Sequence, residues 1–436
     1  MKYVIVGTGV AGLAACEAIR SLDNSGEIFL LGDDPHGYYS RPGLAYYLTG
    51  EMDEKGLFPR SKKDWLALNL RYVKGRVTHI HPGEHQVELE NSSRLDYDRL
   101  LVAIGAQANR LDVPGADQDG VVKLDHMEDA RCILRLARRG KTAVVAGGGI
   151  TALELVEGLR ARGVKVHYLQ RGERYWSNVL DEHESKIIEN RLQDEGVKIH
   201  HQAELVEVLG NRGRVHAVRL LDGRTLRCNI LAYAIGIRPR VGLAREAGLG
   251  IDRGILADEY LQTSHPDIYA AGDVAQIYDP LSQRSIIDSL WGPAREQGFT
   301  AGLNMAGQKT AYLKKAPFNV TRLAGLTTTI IGTVGAGNDK DLAGIARGDS
   351  ETWRSLPDAI VAQTGFEVNR LRLLVGEKSL LGAIVMGDQK LSFPLQKIIS
   401  ANADISAIRD RLLQPGAPIA DIIADYWTAW RPQYAS

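Results

Sequence analysis

With 436 residues, 44% of them apolar, the chain is long enough for two or three domains that each bury a core. Its 53 basic and 53 acidic residues cancel, which argues against nucleic acid or an anionic membrane surface as the main partner. The longest apolar stretches, such as LLGAIVMG at 380–387, are too short to span a bilayer, and the N-terminal apolar run is broken at Gly7 before it reaches the length of a secretory leader. The cytoplasm is therefore the expected location. Cys16, Cys132 and Cys228 lie far apart with no CxxC pair, and no His/Cys cluster has ligand spacing. Reduced thiols and no metal are expected.

In chain order, residues 3–6 predict a short strand. Gly7-Thr8-Gly9-Val10-Ala11-Gly12 follow, then a helical pattern to Arg20. The first glycine permits the tight turn, the second lets a pyrophosphate approach the backbone, and the third lets helix and strand pack closely. The helix start, with Val10 and Ala11, offers free N–H groups and a positive dipole end to phosphates. A second strand, 27–31, ends in Gly32-Asp33-Asp34. An acid about 20 residues beyond the glycines is where a ribose hydroxyl would be held, and Asp33 is the preferred candidate over Asp34.

Residues 142–145 predict another strand, and Gly147-Gly148-Gly149-Ile150-Thr151-Ala152 repeat the pattern with alanine in the third place. Glu154 lies just inside the next helix, where the dipole alone would favour an acid. The following strand, 165–169, ends in Gln170-Arg171-Gly172-Glu173-Arg174. An acid at this strand end would accept from a ribose 2′-OH. Gln170 cannot repel a 2′-phosphate, and Arg171 or Arg174 can pair with one, so NADPH is expected to serve at least as well as NADH. Two solvated loop arginines are the competing reading. Two dinucleotide fingerprints in one chain suit a nicotinamide and a flavin, one in each site, because a flavin accepts hydride and passes electrons on singly or in pairs.

Five further stretches stand in order: HGYYSRPGLAYYLTG at 36–50, LLVAIGA at 100–106, LAYAIGIRPR at 231–240, TSHPDIYAAGDVA at 263–275 and WGPAREQGFTAGLNMAG at 291–307. A short strand over 268–271 delivers Gly272-Asp273, for which an Asx turn is the plain alternative. Pro293 suits the first position of a helix over 294–305. Short β-meanders are expected at 72–90 and 204–229. Near the C-terminus, 366–388 reads as strand, turn, strand, and 394–413 as a helix. Trp427 and Trp430 either fill an interface or cap the core.

Over about residues 1–310, this ordered set resembles the FAD-dependent pyridine nucleotide-disulfide oxidoreductase superfamily. It looks closest to the branch without a redox cysteine pair, which includes ferredoxin and rubredoxin reductases and the flavin portion of NAD(P)H-dependent nitrite reductases. The resemblance implies an α/β fold with two Rossmann-like, three-layer dinucleotide-binding domains, the second inserted in the first. The FAD-binding domain would span 1–112 and 241–315, the NAD(P)H-binding domain 113–240, and an α+β C-terminal domain 316–436. A homodimer through the last domain is left open. The first fingerprint would hold the ADP moiety of FAD and the second NAD(P)H. Arg41 and Pro42 match an Arg-Pro pair lying along the flavin. Ala103, Gly105 and Gly236 are carried over to the cofactor-binding set, and Asp273 would bind the ribityl and pyrophosphate region beside Gly272. Glu154 would sit near nicotinamide and flavin as the catalytic candidate, and the helix begun at Pro293 would aim its N-terminus at the flavin pyrimidine edge. Tyr46 stands near the place where some ferredoxin-reductase-like members carry a lysine, and no cysteine stands where disulfide- and oxygen-reducing relatives carry one. The implied activity is hydride transfer from NAD(P)H to FAD and electron delivery to an unidentified acceptor: an iron–sulfur protein, a nitrite reductase partner or a quinone. A redox-responsive binding protein that signals through a partner, and a thiol-disulfide or CoA-disulfide reductase, are the alternatives.

Overall fold

The computed structural model describes residues 1–279, 283–334, 343–348 and 369–435. Strand Lys2–Val6 is buried along almost its whole length, and a continuous apolar run of this kind marks a parallel strand covered on both faces. It is the centre of a five-stranded parallel sheet in the order Ile268–Ala270, Arg99–Val102, Lys2–Val6, Glu27–Gly32, Leu70–Lys74. A strand from near residue 270 thus completes a sheet begun by the first hundred residues. Helix Val10–Leu22 covers one face, and helix Trp291–Met305 lies directly on it. The approach is so close that a Cβ at Gly298 or Gly302 would collide with the backbone of Ala11 or Ala15.

A second five-stranded parallel sheet runs Lys198–His200, Lys165–Leu169, Thr142–Ala146, Ile230–Tyr233, Val121–Lys123. Helix Ile150–Ala161 packs on it and buries Leu153, Val156 and Leu159. The chain enters and leaves this sheet through an antiparallel two-stranded ribbon, Ala106–Ala108 against Ile237–Pro239. Parallel sheets fed by crossover helices place strand C-termini and helix N-termini at one edge, where ligands bind.

The third sheet is antiparallel: Phe318–Leu323, Leu326–Gly332, Leu380–Met386, Arg370–Val375, Ala343–Gly348. Helices Ser392–Ser400, Ser406–Leu412 and Ile419–Ala435 close its core around Leu371, Leu373, Leu395 and Ile423. A buried ionic cluster ties this sheet to the start of helix Glu182–Asp194. Arg372 Nε donates to Glu184 Oε1 at 2.9 Å and Arg370 Nη2 to Asp181 Oδ2 at 2.7 Å, while Arg372 also serves the carbonyls of Val179 and Val334.

Several expectations are refined. The first meander is Val77–His81, Gln86–Leu89 and Arg94–Asp96, because residues 72–74 join the parallel sheet as its edge strand instead. The second, Leu205–Asn211 to Thr225–Arg227, stands where expected. The helix expected over 394–413 breaks after Ser400. Asn402 turns left-handed at φ 48°, which asparagine tolerates, and Asp404 accepts from the N–H and hydroxyl of Ser406, where the next helix starts. Pro293 is the third residue of its helix rather than the first, a place whose N–H has no intrahelical partner anyway. The strands near 366–388 are Arg370–Val375 and Leu380–Met386, and residues 366–368 lie outside the described residues. Trp427 and Trp430 meet at a tilt, 5.8 Å between centroids and 41° between planes, and pack half-buried on the C-terminal core.

Candidate functional site

A cavity of about 1910 Å³ opens where the ends of the two parallel sheets meet the turn between Phe318–Leu323 and Leu326–Gly332. It brings together Gly7, Gly9, Val10 and Ala11 of the first glycine turn with Asp33, Arg41 and Pro42, then Ala103 and Gly105, Ile150 and Glu154, and Gly272 and Asp273. Leu290, Trp291 and Ala294 bring the N-terminus of the long helix to the same space.

The glycines divide by what surrounds them. At φ 122° Gly7 is left-handed, and a Cβ there would run into the Ala103 carbonyl; one at Gly12 would run into the Gly7 carbonyl. Both are packing glycines. Gly9 has extended backbone and nothing within 4 Å of where a Cβ would stand, so the backbone is bare toward the cavity. Gly9 is the N-cap of helix Val10–Leu22 and Gly149 that of helix Ile150–Ala161, and neither end has a side-chain cap. Both helix starts keep N–H donors for an anion, which fits a dinucleotide phosphate.

Asp34 Oδ1 accepts the N–H of His36 at 2.9 Å, while Asp33 makes no hydrogen bond among the described residues and faces the cavity. Of the two acids, Asp33 is the one left for a ribose. Burial raises the Asp273 carboxyl above its usual range, a cost that hydroxyl donors from a bound sugar chain would relieve. Gly272, at φ 76°, is fixed by a 2.8 Å bond from its N–H to Gln297 Oε1. Arg41 leans across the cavity mouth, with Nη2 3.2 Å from His126 Nδ1 and Nη1 3.7 Å from Asp125 Oδ1. Burial pushes Glu154 up to about 7, although the cavity keeps its side chain partly accessible. Solvent there moderates the cost of charging it.

The remaining candidates do not line the cavity. Gly147, at φ 151°, packs against the Ala234 carbonyl as Gly7 does against Ala103, and Gly149 lies open just behind Ile150. Gly236, at φ 99°, is a turn of the connecting ribbon and accepts the N–H of Asn109. Pro293 sits within the first helical turn beside lining residues. Arg171 is exposed, and Arg174 donates to the carbonyl of Ser177 at 3.2 Å. Gln170 is buried with both amide atoms unpartnered, so it turns inward rather than toward a ligand.

Other lining residues went unread in the sequence. Arg76, Arg110, Arg238, Arg240, Arg245 and Arg253 give the cavity a basic wall suited to phosphates. Two of them stand in the IRPR stretch, but the others are scattered. His126 and Glu157 carried no motif signal at all. None of the three cysteines lines the cavity; Cys16 and Cys228 are buried, and burial pushes both thiols up to about 12. Among the described residues no metal-ligating cluster is found, and no helix is long and apolar enough to cross a membrane.

Residues 1–298 match the profile of the pyridine nucleotide-disulphide oxidoreductase family. Over 418 residues the chain is 27% identical to the assimilatory nitrate reductase electron transfer subunit of Bacillus subtilis (strain 168), covering 95% of this chain and 51% of that protein. It is 31% identical over 307 residues to the 3-phenylpropionate/cinnamic acid dioxygenase ferredoxin–NAD(+) reductase component of Photorhabdus laumondii, covering 70% of this chain and 77% of that one. The chain spans about half the length of the nitrate and nitrite reductase relatives it matches. Among solved structures, putidaredoxin reductase in its covalent complex with putidaredoxin superposes with a TM-score of 0.84 at 26% identity, covering 97% of this chain and 98% of that one.

Proposed function

The chain belongs to the pyridine nucleotide-disulphide oxidoreductase family, and we propose that it is an NAD(P)H-dependent flavoprotein oxidoreductase that delivers its electrons to a separate redox protein. One observation carries this reading. Both glycine-capped helix starts, Asp273 and the half-exposed Trp291 border a single cavity, so donor, flavin and exit would lie together. When bound, FAD supplies the two-electron acceptor a nicotinamide hydride requires and a donor for one- or two-electron partners.

The chain's own residues do the holding. Gly9 and the N–H groups after it would receive the FAD pyrophosphate, Asp33 its ribose, and Asp273 its ribityl chain. Helix Trp291–Met305 points its positive end at the cavity and would favour an anionic ring edge there. Helix Ile150–Ala161 would receive NAD(P)H, with Glu154 beside the nicotinamide. Hydride transfer needs no protein acid; it needs the two rings held close and water kept out. The relatives' names support an iron–sulfur protein or a nitrite reductase partner as acceptor over a quinone. With no cysteine at the cavity, the thiol-disulfide reading has nothing to act through. The domain division at residues 112, 240 and 315 and a cytoplasmic location belong to the same proposal.

Rapid mixing of the FAD-loaded protein with NADH and NADPH, then with candidate acceptors, tests the reading. Flavin bleaching followed by fast reoxidation with an iron–sulfur protein is expected. A reduced flavin that persists with every protein acceptor would refute it. For coenzyme choice, Arg171→Ala with Arg174→Ala should weaken NADPH use roughly tenfold more than NADH use if one phosphate contact is lost. Equal effects on kcat/KM for both coenzymes would make these arginines plain surface charges.

A further inference from the structure

Helix Ile150–Ala161 carries a second acid on its cavity face: Glu157, three residues beyond Glu154. Residues so spaced are neighbours, with roughly 5–6 Å between Cβ atoms. Among the described residues neither forms an ion pair. Glu154 has no hydrogen-bond partner there, whereas Glu157 Oε1 accepts the N–H of Gly325 at 2.9 Å. That donor comes from the C-terminal sheet. Ala324 and Gly325 form a tight turn with φ 48° and 74°, and Arg191 Nε holds the Ala324 carbonyl at 2.7 Å. The turn is thus pinned and aims one N–H at one of the two carboxyls.

The groups around the pair cancel its charge only in part, through the attraction of Arg322 on Glu157. Arg322, from the same sheet, is already bridged to Glu51 at the end of helix Gly43–Thr49 at 2.5 Å. Arg160 donates to backbone carbonyls of Val164 and Glu195, and Arg162 to those of Leu48 and Tyr47. Glu195 adds negative charge, and Tyr175 and Tyr168 present neutral, buried hydroxyls. Burial pushes both glutamates up to about 7; at Glu157 the Gly325 N–H and the Arg322 charge hold the rise back, and weaker repulsion from Glu154 adds to it. The repulsion is mutual: ionising either raises the other.

We propose that Glu157 is a positioning residue for Glu154: the two carboxyls share one negative charge, the Gly325 N–H draws it to Glu157, and an oxidised nicotinamide draws it to Glu154. The shift moves one proton from Glu154 to Glu157 and leaves the total unchanged. A cationic oxidised ring is favoured by an ionised Glu154, and a neutral reduced ring is not. The pair therefore sets the relative affinity for the two coenzyme forms, a conclusion that rests on reading this cavity as the coenzyme site.

Glu157→Gln tests it, since the amide oxygen can still accept from Gly325. In the FAD-loaded full chain at pH 7, NAD+ should bind about three- to tenfold more tightly to the variant, because Glu154 no longer competes for the charge. NADH affinity should stay unchanged. Carboxyl 13C titration should show Glu154 titrating in two steps in the wild type and in one in the variant, finishing on the order of one pH unit lower. A lost structural contact would instead loosen both coenzymes. NAD+ affinity that is unchanged or weaker in a folded, FAD-loaded variant overturns the proposal, as does one-step titration of Glu154 in the wild type. Failure to bind either coenzyme would overturn the reading of the cavity, while the carboxyl titration would still decide the pair.

Discussion

Gly7, Gly9 and Gly12 belong to one motif, yet the structure gives them different tasks that alanine substitutions separate. Gly9 has φ −75° and ψ −176°, ordinary extended backbone, and no atom lies within 4 Å of the place an alanine Cβ would take. Exchanging glycine for alanine at such an N-cap loses up to about 1 kcal/mol of capping, offset by about 0.4–1 kcal/mol from a less flexible unfolded chain. The FAD-free protein should keep its stability within about 1 kcal/mol. The methyl, however, would stand between the free N–H groups and a pyrophosphate, and FAD affinity should fall at least about tenfold, or ~1.4 kcal/mol. Gly7→Ala meets φ 122° and the Ala103 carbonyl at once, so at least about 3 kcal/mol should vanish from the FAD-free protein. Gly12→Ala must push the helix off the Gly7 carbonyl, an overpacking cost of about 1–3 kcal/mol. Urea unfolding of FAD-stripped protein reads the stabilities, and flavin fluorescence quenching reads the affinities. If Gly9→Ala binds FAD like the wild type, or destabilises the FAD-free protein as much as Gly7→Ala, the division of roles is wrong.

Cys16 is fully buried, so Cys16→Ser should cost about 1–3 kcal/mol by placing a hydroxyl in the core, while half-buried Cys132→Ser stays near neutral. Both should keep NAD(P)H oxidation with an artificial acceptor; loss of that activity in a folded, flavin-loaded variant would point to thiol chemistry. The folded state raises Glu154 from 4.5 to about 7, so its proton-linked stabilisation is complete below pH ~4.5 and is lost as pH rises through about 7. Glu154→Gln should therefore melt much as wild type near pH 4.5 and be more stable at pH 8, by about 1–2 kcal/mol after allowing for solvent in the cavity. A gap that does not grow with pH would show that Glu154 titrates normally. Arg372→Met strands Glu184, which is fully buried, and should cost about 3–5 kcal/mol in denaturant unfolding. A loss near zero would mean Arg370 alone neutralises that carboxyl.

What the sequence revealed follows from where the constraint is local. A glycine that must turn, or must stay bare, leaves a mark at its own position, so the two fingerprints, the Gly272-Asp273 turn and both parallel sheets could be anticipated. Within the first fingerprint the spacing implies a turn, an open approach and a packing place in that order, and the surrounding atoms follow the same order: Gly7 and Gly12 abut carbonyls, while Gly9 is bare toward the cavity. Gln170 differs. At its strand end the sequence implies only that it does not repel a 2′-phosphate; in the fold its side chain is buried with both amide atoms unpartnered, which no local pattern encodes.

The basic wall and Glu157 were hidden for a further reason, because they depend on contacts between distant segments. Glu157 gains its meaning from Gly325, 168 residues away, and Arg41 from His126, 85 residues away. Both contacts join, at the cavity, segments far apart in sequence. The same dependence bears on function. A carboxyl held by a turn of the C-terminal sheet, on the helix expected to receive the coenzyme, makes that sheet part of the site's electrostatics rather than an appendage to it.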